Sequence, residues 1–464
     1  MIIHSHARAA RLSFSEKYIL IRAISYYLQG VRGDYTVKTC HLLIVTTLLS
    51  LSLMVSSASS ALNQTATISS TGNIANPGSG FSASLKIHQY TAYKSGITAQ
   101  QYADYTDCFQ IHYDASATVM QAIHSIDPGF LGLVYRNLRK VSTGAPEYSY
   151  FDSHGWILKD ANGNYVYSTT YGTSYRMADI GNPDYQSWLA DWVYNETIRH
   201  GYNGTFLDEG FKAYTYEIWW DSSATPINPR TGTSWTDQQV QDAIVSIYNE
   251  IRNRYGAGYV IVTNGILNGD RWQSRKSGYN YLFAHSDLNG VMGEMWWWNY
   301  QSPTWYSETS WKNSLNGLVE LENTFIKGNN SKMFVPGCFV DLDGDNPLPT
   351  GCTVNQMTRF GFASTLLGLD SSSLYLALSN TLSRLALFQS SIFSLNIGSP
   401  KGSYQQVNGT HIYQRDFTNA TVLVNPTNTA YTVALTGTYT NLDGNSVTGT
   451  ITLQPQTGEV LTPS

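Results

Sequence analysis

A chain of 464 residues is long enough to bury one large domain with a small one beside it. A net charge of −5, with only 13% of residues charged, excludes the basic surface that nucleic-acid binding needs. Low charge together with 33 Tyr, 12 Trp and abundant Ser, Thr, Asn and Gly suits an extracellular protein that meets neutral polar ligands.

Residues 41–55 form a nearly unbroken apolar run, and small residues follow at 56–61. This is the pattern of a secretory signal, with cleavage expected after Ala58 or Ala61. The run is short for a membrane span, which takes about 20 apolar residues. Residues 1–36 have no n-region character, whereas Val37-Lys38-Thr39-Cys40 has, so translation is expected to start at Val37. The alternative is a cytoplasmic tail ahead of an uncleaved membrane anchor at 41–55. Asn-X-Ser/Thr sequons at Asn63, Asn195, Asn203, Asn329, Asn408 and Asn419 lean towards export as a glycoprotein. Residues 1–61 are thus an extension plus signal or anchor, and the Ser-, Thr- and Gly-rich residues 62–84 a spacer.

From residue 85 short β-rich runs alternate with helix-compatible segments. The runs are 85–90, 108–113, 129–138, 204–207, 258–264, 290–295, 332–340 and 373–378. Most end in a polar residue followed by turn chemistry, as buried parallel strands do. Between them, Asn182-Pro183-Asp184 is an N-cap, a proline at the first helical position and a first-turn acid. Thr236 with Gln239 opens another helix, and 308–326 and 355–367 read similarly. Eightfold alternation predicts a (β/α)8 barrel over 85–397; an open doubly wound sheet is the alternative, but no Gly-rich phosphate loop opens a helix here to support it. The long connections 139–179, with a hairpin expected at 156–165, and 211–235 leave from C-terminal strand ends, where barrel clefts are built. Residues 398–464 are rich in Thr, Val, Asn and Gly, with turns at Asn425-Pro426 and Asp443-Gly444, and read as a small antiparallel β-domain.

Two acids at strand ends stand out. Asp208 closes Gly204-Thr-Phe-Leu-Asp208, and Glu294 follows Gly290-Val-Met-Gly293 within a Met and Trp cluster. A carboxylate costs several kcal/mol in apolar surroundings unless paired, so two at strand ends suggest the acid and nucleophile of a sugar-cleaving site. Glu209 is the rival of Asp208, since alternation lets only one of them face the barrel. Asp179, Asn264, His112, Tyr135 and Arg136 sit at predicted strand ends or turns, where binding sugar hydroxyls competes with plain structural roles. Of Trp296, Trp297 and Trp298, which cannot all face one way, Trp296 and Trp298 are taken to stack on sugar rings. The loop Asp341-Leu-Asp343-Gly-Asp345-Asn346 resembles a calcium loop but lacks its closing Glu, so a solvated turn is favoured and neither metal nor cofactor is expected. Cys40 lies in the presumed signal, Cys108 reads as a buried thiol, and Cys338 and Cys352 flank one loop and are expected to pair.

Several segments resemble the barrels of the "hypothetical glycosyl hydrolase" families and the endo-α-1,4-polygalactosaminidases, related to the α-amylases. They are Gly155-Trp156-Ile-Leu-Lys-Asp160-Ala-Asn-Gly163, Asp179-Ile-Gly-Asn-Pro183 and Gly201-Tyr-Asn-Gly-Thr-Phe-Leu-Asp208, with Asn203 where that group carries Asp. Thr263-Asn264-Gly265, Gly293-Glu294 and Tyr413-Gln-Arg-Asp-Phe417 are also similar. The resemblance implies an exported glycoside hydrolase, or a transglycosylase with the same residues, acting on an α-linked polysaccharide or glycan. By analogy with retaining α-galactosidase-like barrels, it casts Asp208 as nucleophile and Glu294 as acid/base. The competing reading is a catalytically silent carbohydrate-binding or cell-surface protein on the same scaffold.

Overall fold

The computed structural model describes residues 87–111, 116–327, 329, 331–341, 348–370, 374–379 and 390–464. The extension and apolar run, the spacer at 62–84, His112 and residues 342–346 of the acidic loop lie outside the described residues.

Eight parallel strands close into a barrel: β1 His88–Ala92, β2 Cys108–Ile111, β3 Leu131–Asn137, β4 Gly204–Asp208, β5 Val260–Ile266, β6 Gly290–Gly293, β7 Met333–Asp341 and β8 Tyr375–Ser379. Each pairs with its sequence neighbours, and β1 pairs with β8 to close the ring. The first seven are followed by α1 Ala99–Tyr105, α2 Ala117–Ile126, α3 Pro183–His200, α4 Asp237–Tyr255, α5 Gly269–His285, α6 Glu308–Leu321 and α7 Val354–Gly368. The barrel expected from the alternation is the fold found.

Local chemistry explains the boundaries. Asn182 accepts from the amides of Asp184 and Tyr185 at the start of α3, and Thr236 forms a reciprocal capping box with Gln239 at the start of α4. Helix α4 buries Val240, Ala243, Ile244, Ile247 and Ile251 against the barrel, an apolar stripe of helical period. Helix α6 stops at Leu321, short of the expected 326, and runs on as a π turn over Glu322–Ile326. Asn203 offers its Oδ1 to the Gly132 amide at 2.8 Å, the acceptor role an Asp would fill at that turn.

The long connection after β3 folds into a three-stranded arm, Lys140–Ser142, Tyr167–Ser168 and Gly172–Met177, and a Lys159–Tyr165 bridge stands where the hairpin was expected. After the barrel, β9 Gln405–Gln406, β10 Tyr413–Asp416, β11 Thr421–Asn425, β12 Tyr431–Thr440, β13 Ser446–Leu453 and β14 Thr457–Pro463 form a six-stranded antiparallel sheet in the order β9-β10-β11-β14-β12-β13. Ile412, Leu423, Val433, Leu453 and Leu461 make its separate small core. Arg415 fastens the sheet to α7, donating to the carbonyls of Leu367 and Leu369 at 3.0 and 2.9 Å and pairing with Asp370.

One expectation is corrected. Cys338 and Cys352 are free thiols. Cys338 is buried beneath α7, where its sulfur fills the space beside Gly361, while the Cys352 thiol turns to the Thr353 carbonyl at 3.3 Å.

Candidate active site

The parallel register brings the C-terminal ends of β3 to β6 to one level. Asn137 lies beside Asp208, and Asn264 beside Met292, two residues before Glu294. At Gly337 of β7 an added Cβ would stand 2.2 Å from the Glu294 carbonyl, so only glycine lets that strand pass so close.

Asp208 is gripped at both oxygens. Tyr135 donates to Oδ2 at 2.6 Å and Asn137 at 3.1 Å; Oδ1 accepts from the Glu209 amide at 2.8 Å and from Asn264 at 3.2 Å. The same Asn264 nitrogen donates to Glu294 Oε2 at 2.9 Å. Two bonds from one nitrogen hold these carboxylate oxygens within about 6 Å of each other. The Tyr300 hydroxyl holds the other oxygen of Glu294. Burial in the barrel mouth, and then the Asp208 charge, push the Glu294 carboxyl above its usual range against the opposing pull of Tyr300 and Asn264.

Glu209 leaves the barrel. Its φ of 57° is left-handed, one of two such non-glycine values among the described residues. The kink swings its carboxylate into a buried ionic knot: Arg139 at 2.7 Å, Lys140 at 3.1 Å, Lys212 at 3.6 Å and the Trp220 indole at 2.9 Å. Asp221 shares Arg139 and Lys140, at 2.7 and 2.9 Å. Arg139, foremost among these cations, holds the Glu209 carboxyl far below the ordinary range despite its burial. Asn137 bridges the two systems, donating to both Asp208 and Glu209.

The carboxylates open into a cleft of about 980 Å³ walled by Tyr90, Tyr135, Asn264, Phe206, Tyr171 and Tyr175 among others. Two polar atoms of this wall, the Tyr90 hydroxyl and Asn264 Oδ1, are buried without a partner among the described residues. Tyr171 and Tyr175 come from the arm, and Lys140 sits 4.4 Å over the Tyr171 ring.

Several expected site residues are elsewhere. Trp296, Trp297 and Trp298 are all fully buried: Trp296 packs on Phe334, and Trp297 and Trp298 donate to Thr365 and the Phe339 carbonyl. None of them is in the cleft wall, whose arm-derived rings are Tyr171 and Tyr175. Asp179 is buried in a two-pronged pair with Arg230 at 2.8 and 3.0 Å, away from the cleft, and serves the turn before α3. Arg136 reaches the outer cleft but turns from Asp208, pairing with Glu147 at 2.7 Å and lying 4.7 Å over the Trp192 ring. Asn137 and Tyr300 were not singled out from the sequence. Strand alternation from Tyr135 would have pointed to Asn137, whereas Tyr300 lies in a loop with no periodic signal.

A closed (β/α)8 barrel with bridged carboxylates in a cleft at its C-terminal mouth is the architecture of a glycoside hydrolase. The chain belongs to the hypothetical glycosyl hydrolase family 15, whose model matches residues 134–421. No curated protein matches the chain. Among solved structures it is similar to the glycoside hydrolase domain of PelA from Pseudomonas aeruginosa, at 10% identity over 63% of this chain and 94% of that one, with a TM-score of 0.38. It is also similar to the maltogenic α-amylase AmyB from Thermotoga neapolitana, at 9% identity over 81% and 98% of the two chains and a TM-score of 0.47. An α-galactosidase, AgaA from Geobacillus stearothermophilus, shares 8% identity over 82% and 56%, with a TM-score of 0.45.

Proposed function

We propose that the protein is an exported, retaining glycoside hydrolase in which Asp208 is the nucleophile and Glu294 the acid/base. The observation that carries this is the Asn264 bridge. It holds one oxygen of each carboxylate within about 6 Å of the other, short of the roughly 6.5–9.5 Å that inverting sites leave for a water. The environments divide the roles. Asp208 presents oxygens oriented by four donors, as an attacking group needs. Glu294, with its proton affinity raised, protonates the leaving oxygen and then takes a proton from the incoming water or sugar hydroxyl. Tyr90 and the free Oδ1 of Asn264 offer the substrate its polar partners, and Tyr171 and Tyr175 offer it aromatic faces.

The α-linkage rests on the family resemblance, and export rests on the apolar run at 41–55 and the small residues after it, whether cleaved or kept as an anchor. The carbohydrate partner is a polysaccharide or glycan.

The amide variants test the roles. Asp208→Asn removes the attacking oxygen, so turnover should fall by several orders of magnitude for every leaving group. Glu294→Gln removes the proton donor: unactivated glycosides should fail while aryl glycosides with good leaving groups still form the glycosyl-enzyme, which azide then releases. Loss that is equal in both variants and independent of leaving group would sink the assignment.

A further inference from the structure

A second cleft, of about 870 Å³, lies where the starts of α6 and α7 meet the C-terminal sheet. It is on the catalytic side of the barrel, because both helices begin at C-terminal strand ends. The loop that enters it starts at Glu294 itself and reaches Trp305 and Tyr306, and the Tyr306 hydroxyl ties back to the Met295 carbonyl at 2.6 Å.

Its lining is amphipathic and holds a single carboxylate among the described residues. The partly buried rings of Trp305 and Tyr431 supply apolar faces. The only charged carboxylate among the described lining residues, Glu308, is answered by His411 and by the Tyr413 hydroxyl, both at 2.7 Å. The amide of Gln356 is occupied by the carbonyls of Pro455 and Gln456 at 3.1 and 3.2 Å. Gln456 differs. It is 9% exposed, its φ of 51° is the other left-handed non-glycine value among the described residues, and its Oε1 has no partner among them. A buried acceptor left unmade costs stability, and a strained backbone costs more. Both are retained at the wall of a cleft.

We propose that this cleft is a second glycan-binding site, taking a neutral oligosaccharide whose hydroxyls donate to Gln456 and whose C–H faces lie on Trp305 and Tyr431. Aromatic faces with a few oriented polar groups match a pyranose. The site does not depend on the roles of Asp208 and Glu294. It would hold a distant stretch of the same chain, or a separate one, while the catalytic cleft works.

The test uses two second-cleft variants of the full chain, Gln456→Gly and Tyr431→Ala. Glycine is at ease at φ 51°, so the first removes the acceptor without harming the fold. Binding is measured by calorimetry and by an array of neutral hexa- and heptasaccharides, including maltoheptaose and cellohexaose, in an Asp208→Asn background that blocks turnover. The expected result is one class of oligosaccharide binding at two sites in the parent. Both second-cleft variants should lose one site, with affinity there at least tenfold weaker, while hydrolysis of aryl monoglycosides by the same variants with Asp208 intact is unchanged. Unaltered stoichiometry and affinity in both variants overturns the proposal, as does an absence of binding across the panel. Hydrolysis of aryl glycosides judges the catalytic reading separately in either case.

Discussion

At the scale of single residues, the site is a contrast between three acids a few ångströms apart. Glu294 is pushed up by burial and by Asp208, whereas Glu209 is pulled down by Arg139, Lys212 and Lys140. If Glu294 is the acid it must carry its proton, so kcat/KM should fall as pH rises through its elevated pKa. A pH profile on aryl glycosides should show that basic limb in the wild type and lose it in Glu294→Gln. Asn264 couples the pair through one nitrogen, so Asn264→Ala should cost turnover of the order of 10²-fold or more, since small misplacements of reacting groups are that expensive. A variant with unchanged kcat would show that the bridge positions nothing.

At the scale of elements, the ionic knot joins the end of β4 to the arm and to the 211–235 loop. Arg139 and Asp221 are fully excluded from solvent, and removing one partner from such a cluster costs about 3–5 kcal/mol. Glu209→Gln should therefore lower the melting temperature by several degrees, and also lower activity, because Asn137 ties the knot to Asp208. The pH dependence has a definite sign. A carboxyl whose folded-state pKa lies below its unfolded value adds stability in full above the unfolded value, near 4.5, and loses it as pH falls towards the folded one. Acid unfolding followed by circular dichroism should thus begin below about pH 4.5 in the wild type, with a shallower dependence in Glu209→Gln. Equal slopes would show that Glu209 is not a source of the acid lability.

At the scale of the whole molecule, the C-terminal sheet covers α7. An added Cβ at Gly458 would lie 2.5 Å from that of Ala363, and Arg415 satisfies the last carbonyls of α7. Removing residues 398–464 would expose that face and leave those carbonyls without their partner, so the truncated chain should aggregate or show a lowered melting temperature in a thermal scan. A truncated chain as stable as the parent would mean that the barrel completes its own core.

The barrel and its strand ends were legible in the sequence because they are written in short-range patterns: apolar runs of strand length, capping residues, and a polar residue where each run stops. That is why Asp208, Asn264 and Glu294 could be singled out from their positions alone. The rest depends on through-space packing. Whether Asp208 or Glu209 faces the cleft turns on one left-handed backbone angle, held in place by cations from Arg139, Lys140 and Lys212. The three tryptophans after Glu294 read as ligand-facing because they adjoin an acid, but their indole N–H groups find partners, where they find them, in the core, and their size drives them there. Tyr300, which grips Glu294, and the arm tyrosines that roof the cleft reach the site through loops whose path no local periodicity encodes. Local sequence determined which strands form and what stands at their ends; the folded chain alone decided which of those side chains meet.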